Sequence, residues 1–409
     1  MLKEAIYIDQ HGSKKVFHLC KLILTVETKM EADQIRDLIV NNLTLQGFLL
    51  KDGKILPPEN LGKENIRSLH QMAVKHKIER GKKELWRKEP HFLKKIASGK
   101  EVVPEQISPR LVEVLPDSEE ELLFRYISLH WSIPVSSGYG RRLRFLVCDE
   151  QNDKLIGIIG LGDPVFSLAA RDQWVGWDRE TRRYRLKYVM DAFVLGAVPP
   201  YSFLLGGKLV AMLAASNEVR AAFGRKYSGA KSVISGEEFD GRLAMLTTAS
   251  ALGRSSIYNR LKYCERHLYK SVGFTRGSGE FHFFNGLYNA IFAYAAQHST
   301  PTAKQESWGN GFRNRREVIR KCLQSLGLSA DWLYHGVARE IFVVPLAENT
   351  REFLRGEDLD LVAYDQPAAA LASYFRERWL LPRAGRDRRY REFDASSYCL
   401  WGRGESDDE

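Results

Sequence analysis

Residues 194–213, VLGAVPPYSFLLGGKLVAML, are the stretch that most restricts how this chain can fold. The stretch is nearly as long as a membrane-spanning helix, which needs about 20 mostly apolar residues. Pro199 and Pro200 interrupt it, and proline lacks the backbone N–H that a helix in lipid must satisfy internally. The sequence therefore predicts a buried strand that ends at the two prolines, a sharp turn, and a helix that begins near Gly206.

The segments around this stretch alternate between strand and helix patterns. Before it, RLRFLVCDEQNDKLIGIIGL has two apolar, β-branched runs joined by DEQND, which is typical of a hairpin. The predicted order is then the long strand YVMDAFVLGAV, a helix from about Leu205 to Phe223, the strand LAMLTTAS, the helix SSIYNRLKYCERHLYKSV and the strand EFHFF. This order predicts an α/β (α+β) core, a mixed central sheet with flanking helices built around a βαβ unit.

Three regions are predicted along the 409 residues. Residues 1–105 form a mainly helical, basic region, in which the Asp-Gly pair at 52–53 marks a turn. A proline-broken segment near 105–118 separates it from the core, residues 106–300. Residues 301–409 form a C-terminal α/β extension, with a strand and a capped helix in YHGVAREIFVVPLAENTREFLRG, a basic patch and an acidic tail.

Several classes of protein are disfavoured by what the sequence lacks. The N-terminus has no apolar stretch with a cleavage site, so we expect a cytoplasmic protein with no membrane association. The five cysteines contain no CxxC pair, so neither a disulfide framework nor a metal site is predicted. No Walker loop, HExxH, GxSxG or paired-carboxylate nuclease motif is present.

Positive charge is concentrated in two segments. The chain has a formal charge of +10 and a pI near 9.2, and residues 63–100 hold twelve Lys and Arg against four Glu. Four cations around Trp86 are candidate phosphate contacts, namely Lys82, Lys83, Arg87 and Lys88. The C-terminal RERWLLPRAGRDRRYREF is the second segment. Each alone is equally typical of a solvated helix face, whereas both together favour a nucleic-acid partner.

A further basic loop precedes the predicted hairpin. WSIPVSSGYGRRLRF places Arg141, Arg142 and Arg144 beside glycines and a tyrosine. Strand alternation predicts that Arg142 and Arg144 lie on one face and Arg141 on the other. Such a loop suits phosphate contact and base stacking, and it equally suits a surface hairpin with solubilising charge.

Asp191 lies inside the predicted central strand, where a carboxylate that faces the core needs a partner. It is either a general base or the partner of Arg171, Arg183 or Arg185, and the ion pair is the favoured reading. Ser255 stands at a predicted helix start. Its simplest role is an N-cap, and the alternative is a phosphate site with Arg254 beside the capping donors.

The order of elements resembles the GNAT-type N-acyltransferase fold. In that family the amides at a helix start hold the pyrophosphate of acyl-CoA, and a tyrosine in Y-x-x-x-G-F protonates the leaving thiolate. The resemblance implies acyl-CoA as a cofactor at Gly206, Gly207 and Lys208, with YKSVGF placing Tyr269 as the acid and Asp191 as the base. The usual Q/R-x-x-G-x-G/A loop is not matched, because Phe203 and Leu204 replace its polar or glycine positions.

A second resemblance extends over roughly residues 60–355. SGYGRRLRFLVCDEQNDKLIGIIGL, MDAFVLGAVPPYSFLLGGKLVA, LTTASALGRSSIYNRL and HGVARE look like the DruA family of the Druantia anti-phage defence systems of bacteria. The resemblance implies antiviral defence beside a helicase-like partner and further subunits. Three roles remain open: a nucleic-acid-binding subunit, which ranks first, an acyltransferase-like enzyme, and a scaffold.

Overall fold

The computed structural model describes residues 31–136, 138, 140–231, 238–302 and 311–402, together with two short strands at 6–8 and 14–16. Thirteen strands are described: β1 Ile6–Ile8, β2 Lys14–Val16, β3 Leu49–Lys51, β4 Lys54–Leu56, β5 Pro109–Glu113, β6 Arg142–Asp149, β7 Lys154–Gly162, β8 Val189–Ala197, β9 Met245–Ala249, β10 Lys262–Tyr263, β11 Arg266–His267, β12 Lys270–Phe274 and β13 Glu340–Pro345.

Thirteen α-helices are described in the same ranges: α1 Ala32–Leu45, α2 Lys63–Leu85, α3 Glu89–Leu93, α4 Glu119–Ser128, α5 Ala169–Val175, α6 Arg179–Arg185, α7 Gly206–Leu213, α8 Asn217–Tyr227, α9 Asn285–His298, α10 Arg315–Ser325, α11 Thr350–Arg355, α12 Ala368–Phe375 and α13 Leu381–Arg386. Short 3-10 turns also occur, including Trp86–Lys88 between α2 and α3 and Tyr258–Arg260 between β9 and β10. No helix in the described ranges is long and apolar enough to cross a bilayer.

The chain divides into two compact units. Unit 1 consists of Met1–Asn60 and Ser278–Gly336, and unit 2 of Leu61–Gly277 and Val337–Glu409. These bounds differ from the three regions expected from composition, because unit 1 joins two segments that are far apart in the sequence. Unit 2 contains the large sheet and every candidate site residue.

A seven-stranded mixed sheet organises unit 2, in the order β12-β13-β9-β8-β7-β6-β5. All neighbouring pairs are antiparallel except β8 and β9, which are parallel and register Asp191 opposite Thr247. Helices α7 and α8 connect these two strands, as a parallel pair requires. The α+β class with a mixed central sheet is thereby confirmed.

The turn at the end of the long strand explains the interrupted apolar stretch. β8 ends at Ala197, the bond between Pro199 and Pro200 is cis, and α7 begins at Gly206. Nearly all of α7 is buried, which is why the sequence reads as apolar on every face. The predicted order of strand, proline turn and helix is confirmed.

Two predicted elements are wrong in detail. The helix expected from Leu205 to Phe223 is two helices, because the chain breaks after α7 and Ser216 caps α8 by accepting from the Val219 amide. The helix expected over SSIYNRLKYCERHLYKSV is instead a 3-10 turn, the β10–β11 hairpin and the start of β12. Cys264 and Glu265 adopt left-handed φ values of 46° and 59° there, which a helix cannot accommodate.

The strand expected at EFHFF is also wrong. Residues 280–284 form a turn in unit 1, and Phe283 is buried. The last strand of the large sheet is β13, which inserts between β9 and β12. The strand and helix predicted in residues 334–356 are confirmed as β13 and α11.

Candidate functional site

The C-terminal end of α2 carries the first candidate site. We define the basic surface as Lys82, Lys83, Trp86, Arg87 and Lys88, all of which are exposed. Trp86 exposes 46% of its surface, which is unusual for an indole that has no binding role. In the described ranges none of the four cations forms an ion pair. The surface therefore offers four charges and an aromatic face to a ligand.

The structure also gives part of this surface a role in folding. Lys82 and Lys83 occupy the last turn of α2, where cations interact favourably with the helix dipole. Arg87 and Lys88 lie beyond the helix in the following 3-10 turn, where their interaction with the dipole of α2 is weaker. The four cations predicted as phosphate contacts lie on one exposed stretch.

The loop arginines behave differently from one another. Arg141 donates to Asp163 at 2.6 Å and to the carbonyl oxygens of Lys187 and Val189, so its guanidinium is occupied inside the protein. Arg144 forms an ion pair with Glu121 at 2.8 Å. Arg142 is exposed, and its guanidinium donates to the Gly138 carbonyl. Of the three, Arg142 presents the most accessible charge.

The start of α7 has less free backbone than a phosphate loop needs. The Gly206 amide donates to the Tyr201 carbonyl at 2.9 Å, and the Lys208 amide donates to the Leu205 carbonyl at 2.8 Å. A Cβ on Gly206 would lie 2.7 Å from the Tyr201 oxygen, so this glycine allows a close approach of the chain to itself. A Cβ on Gly207 would meet only the Ile257 side chain, at 3.5 Å.

Charge at this helix start comes from side chains. The Lys208 ammonium lies 4.7 Å from the centre of the Trp379 ring, and the Arg378 guanidinium lies 5.8 Å from the same ring. Partial burial lowers the pKa of Lys208, and the nearby charges of Arg260 and Arg378 lower it further. We call Lys208, Arg260 and Arg378 the cation cluster; none of them forms an ion pair within the described chain. An anion bound there would relieve their mutual repulsion.

Of the predicted pair Arg254 and Ser255, the serine is engaged in hydrogen bonds inside the protein. The Ser255 hydroxyl accepts from the Tyr258 amide at 3.1 Å, and its own amide donates to the buried Glu340 carboxylate at 3.0 Å. The Ser255 hydroxyl therefore holds the backbone that leads into the 3-10 turn Tyr258–Arg260, and the N-cap position of that turn is Ile257. Arg254 is exposed next to it.

Asp191 lies where the parallel pairing of β8 and β9 ends. Its carboxylate accepts from the Thr247 hydroxyl at 2.7 Å, and the fully buried Arg171 is close enough to act on it electrostatically. Burial raises the pKa of Asp191 to about 6, against the opposing effects of Thr247 and Arg171. The arginine binds Asp172 directly, at 2.6 Å, so Asp191 is not held in the direct ion pair that was favoured. A carboxyl with this pKa can exchange a proton near neutral pH.

Tyr269 is placed differently from the tyrosine of the resemblance. It precedes β12, is 2% exposed, and donates its hydroxyl to the Ala211 carbonyl of α7 at 2.8 Å. Its ring stacks on Tyr258 at 4.6 Å, and burial raises its pKa well above the usual value. This hydroxyl is committed to holding α7 against the sheet.

A C-terminal segment whose packing the sequence prediction missed ends near the basic surface. We define the C-terminal strap as residues 389–402. The buried Glu89, which follows Lys88, accepts from the Leu400 amide at 2.7 Å and the Trp401 amide at 3.3 Å. The Tyr126 hydroxyl donates to the same carboxylate at 2.8 Å. Nothing in the sequence links Glu89 to residue 400, since the two are distant in the chain.

No group of three or more His, Cys, Asp or Glu in the described part of the chain could hold a metal ion. Thr247 and Trp379 are further site neighbours that the sequence did not indicate. Thr247 lies in the apolar strand β9, and Trp379 lies in the C-terminal basic segment, which was noted only for its charge. Their role became visible only through the pairing of β8 with β9 and the packing near α7.

Comparison with known proteins adds to this geometry. The family model described as Druantia protein DruA matches residues 60–356. The curated Druantia protein DruA of Escherichia coli (strain UMEA 4076-1) is 39% identical over 375 residues, which cover 91% of this chain and 92% of that protein. No solved structure matches the chain significantly.

Proposed function

The chain belongs to the DruA family of Druantia anti-phage defence proteins, and on that premise we propose that it is the subunit that binds nucleic acid for the system. It would act with other Druantia subunits, among them a helicase-like protein. The observation that carries the proposal is the basic surface, in which four exposed cations lie within four residues of a half-exposed Trp86.

The chemistry of this surface fits single-stranded nucleic acid better than an acidic protein. Lysine and arginine neutralise backbone phosphates, and each neutralised phosphate releases a counterion, so binding weakens steeply with salt. An exposed indole adds a flat surface on which an unpaired base can stack, worth about 1–3 kcal/mol per base. Bases within a duplex are already stacked on one another, so Trp86 would favour unpaired or forked DNA.

The test is fluorescence anisotropy with labelled single-stranded, duplex and forked DNA at several salt concentrations. The test variant reverses the four cations of the basic surface: Lys82→Glu, Lys83→Glu, Arg87→Glu and Lys88→Glu. The control variant reverses four exposed cations elsewhere: Lys51→Glu, Lys54→Glu, Lys226→Glu and Arg320→Glu. Both variants change the net charge by the same amount, so a difference between them reports on location.

We expect the test variant to lose binding and to flatten the salt dependence by about 3 in the slope of log K against log salt. Trp86→Ala should weaken single-stranded binding by about 5- to 100-fold and duplex binding much less. Equal binding by the test and control variants would refute the proposal. Protection against phage in cells, measured with both variants, then connects binding to defence.

A second function is favoured by the cation cluster. Lys208, Arg260 and Arg378 surround the start of α7 without an acidic partner in the described chain, which suits a polyphosphate such as the one in acyl-CoA. The occupied amides of Gly206 and Lys208 speak against a backbone cradle. The acyltransferase alternative is tested by calorimetric titration of acetyl-CoA into the native protein and Lys208→Ala. A micromolar signal that Lys208→Ala removes would favour the enzyme, and silence in both would reject it.

A further inference from the structure

The C-terminal strap fixes the point from which the end of the chain departs. The strap is held at several places: the Gly99 amide donates to the Phe393 carbonyl at 2.8 Å, and the Ala395 amide donates to the Ser98 hydroxyl at 3.1 Å. Trp401 is buried against the aromatic ring of Tyr126. The strap is thus part of the body of unit 2, and Gly402 has a defined position.

That position is next to the basic surface. The carboxylate that receives the Leu400 and Trp401 amides belongs to Glu89, whose chain neighbour Lys88 is a member of the basic surface. Glu89 is 4% exposed, and its oxygens are occupied by donors from the strap and from Tyr126. We call these hydrogen bonds the Glu89 clamp; they occupy the Glu89 carboxylate. The other carboxylate of this stretch, Glu84, is bound by Arg125 and also lies close enough to Lys88 for that charge to act on it.

The residues that follow Gly402 have the opposite charge. Residues 403–409 read RGESDDE, with one arginine and four acids. Seven extended residues span about 23–25 Å. Lys82, the member of the basic surface that is most distant from Glu89 in sequence, lies seven residues before it, about 10 Å along a helix. A chain of seven residues that leaves Gly402 is therefore long enough to cover the distance between Glu89 and Lys82.

We propose that residues 403–409 bind the basic surface and compete there with nucleic acid. The contact with the basic surface is argued from the strap and the charges alone. The competition with nucleic acid rests in addition on the proposed function. Tethering gives the acidic residues an effective concentration in the millimolar range, so even weak ion pairs would be populated at low salt. Bound DNA, with many phosphates, would displace them.

The contact is tested without any nucleic acid. A carbodiimide that joins carboxylates directly to lysine amines is applied to the full-length protein, and the linked peptides are identified by mass spectrometry. We expect links from Glu405, Asp407, Asp408 and Glu409 to Lys82, Lys83 and Lys88 in preference to exposed lysines elsewhere, such as Lys226 and Lys54. Links spread equally over all exposed lysines would overturn the proposal.

The competition is tested with a variant that keeps the chain length but removes the charge: Glu405→Gln, Asp407→Asn, Asp408→Asn and Glu409→Gln. At about 50 mM salt this variant should bind single-stranded DNA about 3- to 10-fold more tightly than the native protein, and the gain should shrink as salt screens the ion pairs. Unchanged affinity at low salt would overturn the competition.

The two proposals fail in different ways. If the preferred cross-links form but neither the native nor the neutral variant binds DNA, the function proposed for the basic surface is wrong and the contact itself stands. If DNA binds at the basic surface but the cross-links show no preference, the function stands and this inference is wrong.

Discussion

Replacing the central carboxylate, Asp191→Asn, should make the protein more stable at neutral and alkaline pH. The side chain accepts a hydrogen bond from Thr247 that an asparagine oxygen can also accept, so the packing is preserved. What changes is the charge. Burial raises the pKa of Asp191 from 3.8 to about 6, which means that the folded protein binds this proton more tightly than the unfolded chain does.

The size and the sign of the change in the free energy of unfolding follow from that difference in proton binding. A shift of about 2 pKa units corresponds to about 3 kcal/mol if it is fully expressed, and partial exposure of the side chain reduces this to about 1–2 kcal/mol. Because the folded-state pKa is raised, the contribution of Asp191 is most favourable below about pH 4 and is lost as pH rises through about 6. Asp191→Asn removes that loss. The variant should therefore be more stable than the native protein above pH 6 and about equally stable near pH 4.

The assay is urea unfolding followed by tryptophan fluorescence at pH 4.5, 6 and 8. Asp360→Asn serves as the control, since the Asp360 side chain is fully exposed and its replacement should change little. A variant less stable than the native protein at pH 8, or a difference that does not depend on pH, would refute the reasoning. If Asp191→Asn is more stable yet no longer protects cells against phage, the carboxylate has a chemical role that outweighs its cost to the fold.

Three further predictions concern the start of α7, the Tyr269 hydroxyl and the C-terminal strap. Gly206→Ala should destabilise strongly, by about 2 kcal/mol or more, because the added methyl would overlap a backbone oxygen, whereas Gly207→Ala should be tolerated; both are compared by thermal unfolding. Tyr269→Phe should lower the free energy of unfolding by about 1 kcal/mol through loss of its bond to Ala211, with phage protection kept; loss of protection without loss of stability would instead support a catalytic tyrosine. Glu89→Gln should release the C-terminal strap, seen as faster proteolysis near the C-terminus, and an unchanged cleavage rate would contradict the clamp.

The sequence predicted those parts of the fold that depend on local signals. The proline pair and the glycines around 194–213 mark the end of a strand and the beginning of a helix whatever else surrounds them, and β8 and α7 lie where they were expected. The basic surface was also predictable, because a dense run of cations on a helix is exposed almost of necessity.

The element predictions that were wrong have one physical cause. Contacts with residues far away in the chain decide which of two locally plausible structures forms. RLKYCERHLYKSV has apolar residues at helical spacing, yet Cys264 and Glu265 form a hairpin turn without the glycine or asparagine that usually announces one. The predicted helix included Tyr269, which lies instead directly before β12. The cation cluster and the Glu89 clamp join residues far apart in the chain, and no local pattern records such contacts.

The two-part construction of unit 1 sets an order of events during synthesis. At about 5–20 residues per second, the ribosome needs roughly 10–45 s to make Leu61–Gly277, and for that time the apolar face of α1 waits for partners on α9 that do not yet exist. Strand β13, which separates β9 from β12, emerges later still. A nascent chain that stops before residue 340 therefore lacks an interior strand of its main sheet, so both units reach their final form only near the end of translation.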